Sequence, residues 1–331
     1  MPPPHAASAN VSPTIPPALE RTRAMTRGSY CVTRAARSAE SRTPASTDAW
    51  YEFAMAGKHW AGLVVWITGA GSGIGKALAI ELAAQGAILA VSGRRKSQLD
   101  EVVGVIEGAG GRALAVPCDV TREEDLEAAV TTITSSLGRL DAAIANAGFS
   151  VAGPIRRLSA ADWRRQLDTN VVGAALTAKH AIPALEKTRG RLALIGSVAA
   201  FTPAPRIGAY NASKAALRMI GQTLDIELAG SGVSVSIIHP GFVESDIARV
   251  DNEGRFDASR PDKRPKALMW PADRAAKVIA RAVFARKHEH VFTVHGKVGA
   301  FIGQHAPGLI RLALTVGGGN QRMTKMTKGD P

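Results

Sequence analysis

Leu63-Val64-Val65-Trp66-Ile67-Thr68-Gly69-Ala70-Gly71-Ser72-Gly73-Ile74-Gly75 runs an unbroken apolar segment directly into a glycine-rich turn. Five apolar residues without alternation fit a strand buried on both faces, as in a parallel sheet, rather than one with a wet side. The turn has the spacing T-G-x-x-x-G-x-G, and apolar positions Leu78, Ile80 and Leu82 predict a helix directly after it. A strand, a glycine turn and a helix together form a phosphate site. Glycines let the backbone approach the anion, and the helix N-terminus directs N–H groups and a partial positive charge at it. Thr68, Gly69, Gly71, Ser72, Gly73, Ile74 and Gly75 are therefore candidate cofactor-binding residues.

Outward from this unit, apolar segments and helical patterns alternate. Strands are predicted at 87–91, 113–116, 140–145, 191–195, 233–238 and 290–294, with helices at about 122–136, 159–187, 208–229 and 272–286 among the intervening segments. Strict alternation specifies an α/β fold of the Rossmann type: a doubly wound parallel sheet of about seven strands, helices on both faces, in a single domain spanning 60–295. Residues 296–331 read as a basic, partly apolar tail, expected to form one interfacial or core-capping helix. Residues 1–54 are rich in Pro, Ser, Thr, Ala and Arg and are expected to be disordered. Their acids and the lack of an apolar stretch before a cleavage site argue against a targeting peptide, and Met55 is the expected true start of translation.

Charge excludes one class of function. The 331-residue chain has a net charge of +13. Six basic residues face four acidic ones in 1–54, nineteen face seventeen in 55–248, and sixteen face seven in 249–331. A nearly neutral core does not suit a nucleic-acid-binding protein, and the basic tail lacks interleaved aromatics. Only two cysteines, Cys31 and Cys118, are present, which argues against a disulfide framework and for a reducing, cytoplasmic compartment. No apolar run reaches the length of a membrane span. The apolar segments beside the tail charges instead raise the expectation of contact with a membrane surface.

Tyr210-Asn211-Ala212-Ser213-Lys214 sets a phenol and an ammonium four residues apart. On a helix they share a face, and the ammonium is expected to lower the phenol pKa toward the range of a general acid/base. Taken alone, this spacing more often marks an exposed helical pair. With the glycine turn, however, it makes the chain resemble the short-chain dehydrogenase/reductase family, in its compact single-domain branch. Further family signatures follow in order: Asp119-Val120, Asn146-Ala147-Gly148, Asn170, Ser197 and Pro240-Gly241. The resemblance covers residues 60–295.

That resemblance implies roles. Tyr210 would be the proton donor or acceptor, Ser197 would polarise the substrate oxygen, and both would contact substrate. Lys214 would hold the nicotinamide ribose and depress the tyrosine pKa, while Asn170 would support a proton-relaying water. Asp119, Val120, Asn146, Ala147, Gly148, Pro240, Gly241, Val243 and Ser245 would line the cofactor, with Ser245 standing where the family usually places threonine. Gly196 replaces a serine often found before the catalytic one.

The end of the second strand bears on cofactor choice. Ser92-Gly93-Arg94-Arg95 offers cations and no acid, which favours the 2′-phosphate of NADP over the 2′-hydroxyl of NAD. Arg94 and Arg95 are expected as contacts, with Ser92 assisting. The resulting expectation is an NADP-dependent oxidoreductase interconverting a hydrophobic ketone or aldehyde and its alcohol; a non-catalytic NADP redox sensor is the alternative. Relatives imply a homodimer or homotetramer. No metal is expected, since His180 and His239 have no second ligand at metal spacing. Trp163 is expected in helix packing, Cys118 as a small buried hydrophobe, and the irregular 240–271 segment as a substrate lid.

Overall fold

A computed structural model describes residues 59–262 and 264–316. The expected disorder of 1–54, the start at Met55 and the last part of the tail lie outside the described residues.

Strand β1 (Val64–Thr68) is buried along its whole length. It leads into helix α1 (Gly73–Ala84), strand β2 (Ile88–Gly93), helix α2 (Lys96–Gly108) and strand β3 (Arg112–Pro117). Helix α3 (Glu123–Leu137) opens on three acids, Glu123, Glu124 and Asp125, which complement the positive end of its dipole, and closes on left-handed Gly138. Strand β4 (Ala142–Ala145) follows.

The predicted long helical stretch over 159–187 forms one rod whose winding changes partway. Helix α4 (Ala160–Leu167), started by a capping box between Ser159 and Asp162, passes through a π turn at Asp168–Val172 into α5 (Gly173–Thr188). Strand β5 (Arg191–Ile195), helix α6 (Gly208–Glu227), strand β6 (Ser234–His239) and helix α7 (Ala272–Phe284) complete the pattern. The seventh strand, β7, is shorter than expected: it covers Glu289–Val291, and Val294 already begins the next helix. In place of one C-terminal helix there are two, α8 (Val294–His305) and α9 (Pro307–Val316).

All seven strands pair in parallel, in the order β3-β2-β1-β4-β5-β6-β7. One apolar core joins Ile67, Leu78, Leu82, Leu89, Leu99 and Ile279, so α1, α2 and α7 cover one face. The other joins Trp66, Leu126, Ile133, Leu185, Leu194 and Leu217, under α3, α5 and α6. The order in which strands are added reverses between the neighbours β1 and β4, and a crevice at such a switch point is where open α/β sheets bind ligands. Trp163 packs with Phe149 and Val151 in a small separate cluster, as expected. Cys118 is 3% exposed, and burial, with Asp125 and Asp119 nearby, pushes its thiol up to about 12.

Candidate active site

The glycine turn is tied to the strand beside it. The Thr68 hydroxyl accepts the backbone N–H groups of Asn146 at 3.1 Å and Ala147 at 3.2 Å. The Asn146 amide donates to the carbonyls of Thr68 at 2.9 Å and Gly69 at 3.1 Å. These bonds join the ends of β1 and β4 across the switch point. Gly69 has φ +66°, and a Cβ on it would lie 2.7 Å from Ala147 Cα; a Cβ at Gly75 would collide with the Gly69 carbonyl. Larger residues at either position would force the turn off the strand. Ser72 is the N-cap of α1, yet its side chain makes no capping bond. The first-turn N–H groups therefore remain to be satisfied by something other than the chain's own cap, as a phosphate site requires. This open cradle fits a dinucleotide pyrophosphate.

Ser197 follows β5 and has an extended backbone, with its hydroxyl accepting from Ala199 N–H at 3.1 Å. Tyr210 and Lys214 project from the first turns of α6. The Ser197 side chain is close enough to the Tyr210 phenol to pull its pKa downward. Lys214 is 5% exposed; its Nζ donates to the Ile195 carbonyl at 2.8 Å and lies 5.7 Å from the Tyr210 ring centroid. Burial brings the lysine down to about 8.

The phenol does not follow the expectation. Burial raises the Tyr210 pKa, and the influences that oppose it are the Ser197 side chain and the charge of Arg264. Lys214 spends its charge on the end of β5 instead. Arg264 had no sequence signal, because it lies in the irregular segment fifty-odd residues from the tyrosine. Its guanidinium donates to the Val243 carbonyl at 2.9 Å, to the Ser245 carbonyl at 2.8 Å and to the Ser245 hydroxyl at 3.3 Å, with Asp262 holding its far side at 2.7 Å. Ser245 thereby sits against the turn, where a Cβ on Gly73 would come within 3.0 Å of it.

Asn170 lies in the π turn and is 1% exposed. Its side chain accepts from Phe149 N–H at 3.1 Å and donates to the Phe149 carbonyl at 3.0 Å and Ser213 Oγ at 3.1 Å. A Cβ on Gly148 would sit 3.1 Å from Asn170 Oδ1 and 3.8 Å from Lys214 Nζ. Glycine thus keeps a gap open between the asparagine and the lysine.

Other expected residues divide. Val120 is buried, and the Asp119 carboxylate is engaged by Thr121 N–H at 3.0 Å and Thr121 Oγ at 2.8 Å. The Pro240 carbonyl accepts from Val198 N–H at 3.0 Å, fixing Pro240-Gly241 beside the Ser197 turn. Arg94 and Arg95 are exposed just beyond β2. Ser92 must be corrected: it is 0% exposed, and its hydroxyl takes the Trp66 indole N–H at 2.9 Å, so it braces the sheet and does not reach a ligand.

His180 pairs with Glu123 at 3.2 Å. His239 is completely buried beneath Ser197. Its Nδ1 lies 3.3 Å from Ser197 N and 3.1 Å from Ser197 O, and its Nε2 lies 2.9 Å from Glu289. Arg218 grips the same carboxylate at 2.6 and 3.1 Å. The His239 hydrogen bond, helped by Arg218, holds Glu289 down at about 2. An ionised Glu289 only accepts, so the proton shared with His239 sits on Nε2.

A nucleotide cradle at the switch point, with a serine, tyrosine and lysine gathered at the strand ends, defines a Rossmann-fold protein of dehydrogenase type. The chain belongs to the short chain dehydrogenase family, whose sequence profile matches residues 63–255. Among curated proteins it is 38% identical over 190 residues to 11-beta-hydroxysteroid dehydrogenase 1A of Arabidopsis thaliana, covering 57% of this chain and 54% of that one. It is 34% identical over 189 residues to dehydrogenase/reductase SDR family member 4 of Homo sapiens, covering 56% and 68%. The chain spans about half the length of the curated plant relatives it matches. A short chain dehydrogenase/reductase from Burkholderia phymatum in complex with NAD superposes with a TM-score of 0.67 at 25% identity, covering 74% of this chain and 93% of that one. An alcohol dehydrogenase from Thermococcus sibiricus complexed with 5-hydroxy-NADP gives 0.61 at 25% identity, covering 70% and 95%.

Proposed function

We propose that this protein is an NADP-dependent reductase that converts a hydrophobic ketone or aldehyde to its alcohol, with Tyr210 as the acid. The observation that carries this reading is the gathering of Ser197, whose side chain acts on the Tyr210 phenol, with the buried Lys214 at the end of β5. The pyrophosphate would lie on the turn Gly69–Gly75 and the N-terminus of α1, with Arg94 and Arg95 at the 2′-phosphate. Bound NADPH would supply a hydride to the carbonyl carbon.

The chain's own groups handle the oxygen. As that oxygen gains negative charge, the Ser197 hydroxyl donates a hydrogen bond to it and Tyr210 passes it the phenolic proton. A pKa raised by burial keeps Tyr210 protonated at neutral pH, which suits a donor. The proton is then replaced through the gap beside Gly148, between Asn170 and Lys214. Lys214, held at about 8, is close enough to neutral pH to exchange protons on that route. The experiment is a panel of long-chain and polycyclic ketones and aldehydes, followed by NADPH consumption with the product alcohol identified. No alcohol from any member, with NADPH shown to bind, would support a redox sensor instead.

A further inference from the structure

Helix α8 wears its apolar side chains on the wrong face. Its inner side is made of small residues: Gly296 and Ala300 are buried, and a Cβ on Gly303 would collide with the Phe201 carbonyl. Gly299 rests 3.7 Å from Val198 by the same measure. The helix is thereby pressed onto the turn that carries Ser197. Its large residues point outward along one stripe, with Val294 79%, Val298 53% and Phe301 66% exposed. Helix α9 continues this surface. None of its residues is buried, and Leu309, Leu312 and Val316 are 59%, 58% and 74% exposed. An ordinary surface helix does the reverse, and an apolar patch of this kind marks a binding surface.

Charge says what covers it. Lys297 and Arg311 are exposed on the two helices, and the sequence adds Arg322, Lys325 and Lys328. Between Glu289 and Asp330 there is no acidic residue. A second copy of the chain docked through a two-fold axis would set these cations against each other with no carboxylate to pair them. Anionic headgroups over an apolar interior match both features at once. Neither helix crosses a bilayer: among the described residues none is long and apolar enough. At 12 and 10 residues they can only lie in the interface.

We propose that α8 and α9 form an interfacial docking surface for an anionic lipid membrane, which sets the Ser197 turn next to the bilayer. The surface is independent of the reductase reading, since its test requires no turnover. The full chain is sedimented with phosphatidylcholine vesicles, with and without phosphatidylglycerol. It should bind the anionic vesicles far better, and added salt should release it. Phe301→Asp with Leu312→Asp should weaken that binding by about tenfold or more, the loss expected from removing two buried apolar anchors. If this double variant fails to fold, Lys297→Glu with Arg311→Glu changes only exposed charges and should likewise abolish the preference for anionic lipid. No binding, equal binding to both vesicles, or binding indifferent to every variant would overturn the proposal. So would a lipid-free dimer of the native chain that Phe301→Asp with Leu312→Asp splits into monomers, because a second copy would then own the surface.

Discussion

The His239 imidazole meets the Glu289 carboxylate at 2.9 Å and turns its other nitrogen toward the backbone of Ser197. A strand-end histidine and a residue of the last strand thus jointly set the height of the serine. Glu289 is an ion held below its ordinary range, and the direction of its contribution follows. Its carboxylate stabilises the fold fully above about 4.5, the unfolded value, and that contribution is lost as the pH falls through about 2. Glu289→Gln should cost about 2 kcal/mol at neutral pH, with partial exposure already discounted. The difference from the native protein should shrink steadily as denaturation is followed from pH 5 toward pH 2.

Tyr210→Phe removes the phenolic proton but keeps the ring. Turnover of the carbonyl substrate should fall by about 10²-fold or more, while NADPH binding, measured by fluorescence titration, stays within a few-fold. An undiminished rate would leave the proposed acid without a role.

Arg94 stands exposed just beyond β2, where the proposed 2′-phosphate would lie. Arg94→Ala should weaken NADPH by roughly tenfold or more, the scale of one charge-assisted contact, and leave NADH nearly unchanged. Comparing the two dissociation constants in one buffer checks this, and equal losses would remove the assignment.

Asn146 is predicted to matter through architecture. Its amide closes two carbonyls of the turn, at Thr68 and Gly69. Asn146→Ala should destabilise the protein by about 1–3 kcal/mol, as expected when buried acceptors lose their donor. It should also weaken both NADH and NADPH alike, because the pyrophosphate cradle serves both. Thermal melts with and without each cofactor separate these effects.

The centre of the sheet was legible because its strands are apolar runs such as Val64–Ile67 or Leu192–Ile195, buried from both sides, whereas the edge strand β7, Glu289-His290-Val291, carries no such run. The turn and the Tyr210–Lys214 spacing were legible for a different reason: their chemistry depends on fixed local distances along the chain. Side-chain direction was not. Ser92 stands at the end of β2 in a position that suits a ligand, but cross-strand packing points its hydroxyl at Trp66. Contacts between distant segments were equally hidden. Arg264 reaches Ser245 from an irregular stretch, and Glu289 reaches His239 across fifty residues. Burial, which raises the Tyr210 pKa against the expected effect of Lys214, was hidden for the same reason, and so was the Lys214 bond to the Ile195 carbonyl.

The π turn at Asp168–Val172 has an effect on how this segment can vary. Each residue in a helix advances the direction of the next by about 100°, so one additional residue re-aims everything beyond it. Upstream, Gln166 faces Phe149 and Val151; downstream, Gly173 is pressed against Val120. Those two orientations belong to one rod only because of the extra residue. Deleting a single position there would straighten the rod at the expense of one client or the other, so the irregularity is a joint between two commitments that neither side can release alone.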